Sequence, residues 1–269
     1  MTAPWQMIVA RRPEWPTGSA EVLDAVEAAR VALARLNGPR GLRDRTGRVA
    51  AAALMRAARA SASLAGAPLG LDPAAASIAD PVLAGAVRAA AALDGLVATW
   101  RRAPRQVLAR LHTLAAADLA APDDLGRPRV DPADPGLVSG RLAGLADLVV
   151  RSPWPAPVMV AIVHGELATL APFGSADGVV ARAAARLTMV ATGLDPAGWS
   201  VPEVAQLRSP DRYRAGLAGY GEGGVDGADA WVIQVCADLG RGATEGAGVA
   251  RASTAESDRP LRKSPDRSN

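Results

Sequence analysis

The sequence predicts an all-α fold, and three of its properties support this prediction. First, apolar residues recur at intervals of three and four within segments that Pro and Gly separate, as on the buried face of a helix. Second, no segment shows the sustained alternation of apolar and polar residues that is typical of a strand. Third, the chain is 49% apolar but only 3% aromatic, and Phe173 is its sole phenylalanine. A core made mainly of Ala, Leu and Val favours helices whose axes approach closely.

The N-terminal half carries clear helix signals. Ser19 can cap a first helix, in which Glu21 lies in the first turn and an apolar stripe runs from Val22 to Leu36. Asn37 and Gly38 then end this helix. The helices predicted next are roughly Arg48 to Ala60, one or two within Pro73 to Thr99 broken at Pro81, and one that starts at Pro104.

A long loop from Ala121 to Pro135 follows, and loops of this length in a compact domain are often functional or mobile. The helices predicted after it are Leu137 to Val150, Val158 to Leu170, Gly178 to Thr192, Asp211 to Gly219 and Ala228 to Leu239. From about Gly240, small and charged residues replace the apolar periodicity, which predicts a disordered tail. The sequence thus divides into an N-terminal helical region (1–59), a main helical domain (60–240) and a tail (241–269).

Charge and cysteine content limit the classes of function. The net charge is +3, and Lys263 is the only lysine among 30 basic residues. The arginines are scattered among acidic residues without a basic stripe or stacking aromatics, which argues against nucleic acid as a partner. The single cysteine, Cys236, excludes an internal disulfide and Cys-rich zinc sites. No signal-peptide pattern and no run of about 20 apolar residues occurs, so we expect a cytoplasmic protein without a membrane span.

The segment from His164 to Arg186 is the most informative for function. It predicts an apolar helix, a short Pro/Gly loop from Ala171 to Asp177, and a second helix whose first backbone N–H groups face the loop. Such N–H groups and the helix dipole favour an anion. Arg182 lies one turn further along and could contact a phosphate. The Asp177 carboxylate could instead cap the helix and occupy the same donors, so the residues alone leave an anion site and a capped helix open.

The same segment resembles the signature of the Fic family. That signature reads H-P-F-x-[D/E]-G-N-G-R-x-x-R and follows a histidine seven residues upstream. Pro172, Phe173, Gly178 and Arg182 fall on matching positions, as does the upstream His164.

Further segments resemble parts of this family in the same order along the chain. They are Ser61 to Gly66 (its autoinhibitory motif), His112 with Gly126 to Arg129 (the region of its substrate flap), and Tyr213 with Trp231 (its C-terminal helices). The likeness covers about Ala60 to Arg241. It implies a Fic-like helical fold.

Fic family members transfer AMP or a related phosphate-containing group from a nucleotide to a protein hydroxyl, with the motif histidine as base and a carboxylate as magnesium ligand. Here the histidine position is Ala171 and the metal-ligand position is Ser175, while Asp177 and Val179 replace the motif's asparagine and first arginine. An alanine methyl cannot accept a proton, and a serine binds magnesium less well than a carboxylate. The position of the family's inhibitory glutamate is Ala65. The resemblance therefore implies a degenerate member that lacks adenylyl transfer.

Three functions stay open at this stage. The first is a nucleotide- or partner-binding module, with ATP or another nucleotide as ligand and Ala176, Asp177, Gly178 and Arg182 as its binding residues. The second is a transferase with altered chemistry that uses His164 or Asp177 as base. The third is a helical interaction scaffold without a ligand. A protein partner or a homodimer suits the first and the third.

Overall fold

The computed structural model describes residues 19–38, 46–68 and 80–257. Within them the chain forms eleven α-helices and no strand, which confirms the predicted all-α fold. The helices are α1 (Ala20–Leu36), α2 (Thr46–Leu64), α3 (Pro81–Ala91), α4 (Leu93–Trp100), α5 (Pro104–Ala115), α6 (Leu137–Arg151), α7 (Ala156–Leu170), α8 (Asp177–Ala191), α9 (Pro202–Arg208), α10 (Pro210–Gly221) and α11 (Val225–Ser257).

Helices α7 and α8 pack against each other at the centre of the molecule. Nearly all of α7 is buried, including the polar residues His164 and Glu166. A helix that is apolar around its whole circumference belongs inside a core, because no face of it gains from contact with water. Helix α11 packs on α7, and α4 and α5 pack on α8. The loop that joins α7 to α8 is therefore anchored at both ends by buried helices.

The first helix forms as its sequence predicts. The Ser19 hydroxyl accepts a hydrogen bond from the Val22 N–H, and Asn37 ends the helix. The predicted apolar stripe is buried, from Val22 to Leu36, and it belongs to the same hydrophobic core as α7 and α8. This core therefore continues across the boundary at 59/60 that the sequence analysis drew.

The C-terminal part of the chain differs from the prediction. Helix α11 begins at Val225 and continues to Ser257, so the expectation of a disordered tail from 241 is wrong for residues 241–257, whereas 258–269 lie outside the described residues. This part of α11 is held in place because its glycines pack closely against the backbone of a neighbouring segment. A Cβ atom at Gly242 would lie 2.5 Å from the backbone N of Pro202, and one at Gly246 would meet the carbonyl of Trp199. Contacts of this kind leave no apolar periodicity in the sequence.

Two other regions of the chain also differ from the prediction. Helix α9 was not predicted at all, although its first residue is Pro202 and Glu203 lies in its first turn. The start of the predicted Pro73–Thr99 segment lies outside the described residues, and from Pro81 onward it forms α3 and α4.

Among the described residues, no single helix has the length and apolarity to cross a membrane. Helices α3 and α4 together meet that criterion by length and composition, but they are bent by 57° at their junction.

Candidate functional site

The loop that joins α7 to α8, here called the motif loop (residues 171–176), has an unusual backbone. Ala171 has a φ of 45° and Ala176 a φ of 51°, both in the left-handed region that alanine rarely adopts. Each such residue costs about 1–2 kcal/mol, because the Cβ atom crowds the following carbonyl. Ala171 ends α7 and Ala176 precedes the first residue of α8. The surrounding contacts must hold the loop in this shape.

The Asp177 carboxylate supplies one of these contacts. It accepts a hydrogen bond from the backbone N–H of Phe173 at 2.9 Å, so it closes the loop on itself. Burial raises the pKa of this carboxyl, while the N–H groups of Phe173 and Gly174 and the charge of Arg129 act in the opposite direction. The sequence analysis left three roles for Asp177: a helix cap, a base or a residue that binds a nucleotide. The structure instead directs its carboxylate to the loop, and the start of α8 has no side-chain cap.

The Arg182 guanidinium points into the core and is only 4% exposed. Its Nε donates to the Ser61 Oγ at 2.8 Å, its Nη2 to the Ser61 carbonyl at 2.9 Å, and its Nη1 to the Tyr213 hydroxyl at 3.2 Å. Each guanidinium nitrogen is thus bonded to a protein oxygen of α2 or α10. The sequence analysis expected Arg182 to contact a phosphate in front of the motif loop. In the structure its guanidinium is instead directed toward α2 and α10.

Gly178 has a structural role beside Arg182. A Cβ atom at this position would lie 3.2 Å from the Arg182 Nη2 and 3.3 Å from its Nη1. That separation is tighter than ordinary van der Waals contact, so a methyl group would press on the buried guanidinium. Gly178 and Arg182, which match the end of the family signature, therefore both serve the buried contacts of the Arg182 guanidinium with Ser61 and Tyr213.

Ser175 lies against His112, which belongs to the segment that resembles the family's flap region. The Gly126 N–H donates to the His112 Nδ1 at 2.9 Å, and the His112 Nε2 lies 3.0 Å from the Ser175 Oγ. Because Nδ1 accepts a hydrogen bond, the neutral ring carries its proton on Nε2 and donates it to Ser175. Burial lowers the pKa of His112, with the hydrogen bond to Ser175 opposing this effect, so the neutral form is favoured.

This arrangement excludes two chemical roles. His112 cannot remove the proton of Ser175, because its proton-free nitrogen faces Gly126 instead. Ser175 also offers a magnesium ion no carboxylate, and its oxygen already accepts a hydrogen bond from His112. Among the residues that the structure describes, no group of three or more His, Cys, Asp or Glu side chains lies close enough to bind a metal ion. The residues at the motif loop thus do not fit magnesium.

The long loop between α5 and α6 is fastened to the motif loop by Arg129. The Arg129 Nε donates to the Ala171 carbonyl at 2.8 Å, and its Nη2 donates to the Leu170 carbonyl at 3.0 Å. Its backbone N–H donates to the Pro172 carbonyl at 2.8 Å. They satisfy the carbonyl of Leu170, the last residue of α7, and those of the two residues that follow it, none of which has a partner within the helix. One arginine therefore fixes the loop between α5 and α6 against the end of α7.

His164 lies in the core behind the motif loop. Its Nε2 is 2.8 Å from the Tyr213 hydroxyl, and its ring meets the Trp231 ring edge-on. Burial, together with the nearby charge of Arg182, lowers the pKa of His164 to about 3. The ring is 2% exposed, so no substrate hydroxyl can approach it. His164 is therefore a hydrogen-bonded histidine of the core.

The structure therefore separates the predicted site residues into two groups. Ala176 and Asp177 shape the motif loop, whereas Arg182 and His164 meet at Tyr213 inside the core. Sequence reasoning missed the contacts of His112 and Arg129, because both depend on a loop whose path has no periodic signal. The only sequence hint was their place in the segment that resembles the family's flap region.

Comparisons with known proteins bear on the fold. The sequence matches no family model and no curated protein. The structure is similar to a Fic family protein from Desulfovibrio desulfuricans G20, with a TM-score of 0.67 and 16% identity over 91% of this chain and 77% of that one. It is equally similar to Fic-1 (residues 134–508) from C. elegans, with a TM-score of 0.67 and 18% identity over the same shares. The chain has a Fic-like fold.

Proposed function

We propose that this protein is a degenerate Fic-fold protein that does not transfer AMP or another phosphate-containing group, and that it acts by binding a partner. The observation that carries the proposal is the closed state of the motif loop. The carboxylate of Asp177, the first residue of α8, is bonded to the loop backbone, and the guanidinium of Arg182 is bonded to Ser61 and Tyr213. A phosphate site needs its donors to be available in front of the loop.

The absence of a usable base supports the same proposal. Ala171 has no group that accepts a proton, and a positioned general base typically contributes about 10²–10⁴-fold to the rate. The two substitutes that the sequence suggested are both engaged elsewhere. His164 is buried against Tyr213 with a pKa of about 3, and Asp177 accepts a hydrogen bond from Phe173. A transferase that uses either residue would have to break these contacts first.

ATP or another nucleotide is the ligand that the family resemblance implies, and the local charges argue against it. Asp177 places a half-buried carboxylate at the loop where the charge of a polyphosphate would lie. Val179 adds no cation beside it. Electrostatic stabilisation dominates phosphoryl transfer, so an acid and an apolar residue at these positions remove most of it. A protein partner, including a second copy of the chain, fits the closed loop better.

Incubation of the protein with labelled ATP and magnesium tests the proposal directly. We expect no label on the protein itself or on lysate proteins, and no binding heat with ATP in calorimetry. Labelling that disappears in an Arg182→Ala variant, after that variant is shown to be folded by circular dichroism, would refute the proposal.

A restored variant provides the matched positive control. It carries Ala171→His, Ser175→Glu, Ala176→Gly, Asp177→Asn and Val179→Arg, which together rebuild the family signature on this fold. We expect labelling to appear in this variant and to be absent from Ala171→His alone, because the single change restores the base without the metal ligand and the cation. Full labelling by the single variant would mean that the loop can bind ATP as it stands.

A further inference from the structure

A groove lies between α5 and α6, outside the contacts that close the motif loop. Its volume is about 660 Å³, which is within the range of pockets for small organic ligands, about 300–1,000 Å³. Its floor is apolar and includes Leu108 from α5 and Leu142 from α6, both buried. Phe173 closes one side, and it is the only residue that the groove shares with the motif loop and its neighbour Asp177.

The charge of the groove is concentrated at its α5 end. Arg102 and Arg105, on either side of the first residue of α5, both line it and are exposed. Neither forms an ion pair with any residue in the described part of the chain. The groove's third arginine, Arg151, lies 3.7 Å from Asp147, which offsets its charge. Two guanidinium groups therefore face the groove without a counterion.

The start of α5 adds to this positive potential. No side chain caps it, because the preceding residue is Ala103. The helix dipole places partial positive charge at this end, and it acts in the same direction as the two arginines. An occupant with an anionic group would therefore bind with that group at the α5 end.

The α6 wall of the groove presents an apolar surface. Val150 is 46% exposed although it is a large aliphatic residue, and it lines the groove together with Ala146. Covering these surfaces removes apolar area from water and contributes about 25 cal/mol for each Å² buried. An ion without an apolar part would leave this contribution unused.

The dimensions favour a small molecule over a peptide. The α6 wall runs from Leu142 to Arg151, which is about 14 Å of helix at 1.5 Å per residue. A specific protein interface usually buries about 800 Å² on each partner, which a groove of this length cannot supply alone. We propose that the groove binds a small amphipathic anion, with a carboxylate or phosphate head at Arg102 and Arg105 and an alkyl body along α6 toward Phe173.

Calorimetric titration of the full-length protein with decanoate, below its micelle concentration, tests this proposal. We expect saturable binding of decanoate and of decyl phosphate, with decanol binding at least tenfold more weakly because it lacks the charge. The double variant Arg102→Gln, Arg105→Gln should weaken decanoate binding at least tenfold. Arg110→Gln is its matched control, since Arg110 is exposed on the same helix outside the groove, and it should change the affinity by less than twofold.

A second pair of variants tests the apolar part of the site. Ala146→Trp fills the groove and should abolish decanoate binding, whereas Ala143→Trp, at an exposed position of α6 outside the groove, should leave it intact. Equal binding of decanol and decanoate, or full binding by Ala146→Trp, would overturn the proposal. The proposal would also be overturned if the protein does not bind decanoate but sediments with phosphatidylglycerol vesicles or binds a Glu-rich decapeptide. The partner would then be a membrane surface or an acidic peptide.

Discussion

Helix α8 buries two arginines one turn apart, and the chain satisfies them in different ways. Arg186 forms a two-pronged ion pair with Glu203, with Nε to Oε1 at 3.2 Å and Nη2 to Oε2 at 2.9 Å. It also donates to the carbonyls of Gly198 and Ser200. Arg182 has only the neutral oxygens of Ser61 and Tyr213. Both side chains are at least nine-tenths buried.

This difference separates a buried arginine that is neutralised by a carboxylate from one that is held by neutral hydrogen-bond acceptors. A buried ion pair is held by mutual charge, and loss of one partner leaves the other uncompensated. Arg182 lacks such a partner, and Ala65 stands where the family resemblance places a glutamate. The arginine with a carboxylate therefore serves the packing of α9 on the core. Arg182, which has no carboxylate partner among the described residues, connects α8 to α2 and α10 through hydrogen bonds alone.

Removal of the Arg186 guanidinium should lower the stability of the protein more than any other substitution considered below. We expect Arg186→Met to lower the free energy of unfolding by about 3–5 kcal/mol, because Glu203 then stays buried without its partner. The double variant Arg186→Met, Glu203→Leu should recover part of this loss. Urea denaturation measures both. A double variant less stable than the single one would mean that packing, rather than the unpaired charge, causes the loss.

Removal of Arg182 should cost less, since only neutral groups lose a partner. We expect Arg182→Met to lower the free energy of unfolding by about 1–3 kcal/mol. Arg110→Met, at an exposed position of α5, serves as control and should stay within about 0.5 kcal/mol of the wild type. A loss for Arg182→Met equal to that for Arg186→Met in the same urea titrations would remove the contrast between the two arginines.

Acid should destabilise the region around Arg182 through His164. The folded pKa of His164, about 3, lies below its ordinary value of 6.5, so the unfolded chain binds the proton first. Stability that is fully present above pH 6.5 is therefore lost as the pH falls toward 3, at about 1.4 kcal/mol per pH unit.

Comparison with a His164→Gln variant separates the contribution of His164 to the pH dependence of stability from the contributions of the other titrating groups. Between pH 7 and pH 5 the wild type should lose about 2 kcal/mol more than the variant, measured by urea denaturation at each pH. Identical pH profiles for the two proteins would show that His164 is not held neutral in the core.

The smallest change in stability is expected for a substitution of Ser61, which accepts hydrogen bonds from Arg182. Ser61→Ala removes the acceptor of the Arg182 Nε, while the Ser61 carbonyl and the Tyr213 hydroxyl stay in place. We expect a loss of about 1 kcal/mol in thermal or urea unfolding. Ser63 is the matched control, because its hydroxyl is buried and has no hydrogen-bond partner among the residues that the structure describes. Ser63→Ala should be neutral, and equal losses for both variants would contradict the assigned role of Ser61.

The sequence predicted the fold better than the site because periodic packing leaves a local signal. The stripe from Val22 to Leu36 and the cap at Ser19 gave α1 its observed boundaries. The same reasoning missed residues 241–257 of α11, where Gly242 and Gly246 allow contact between backbones. A glycine that makes room for another segment looks, in the sequence alone, like a glycine in a flexible tail.

The sequence by itself determined the helical class and the order of most helices, and it placed an alanine and a serine, Ala171 and Ser175, in the motif loop. Which residues meet was decided only by the tertiary structure. Arg182 could face a ligand or the core, and its contact with Ser61, 121 positions away, settled that direction. Side-chain direction depends on partners distant in the chain, whereas helix formation depends on neighbours three and four residues away.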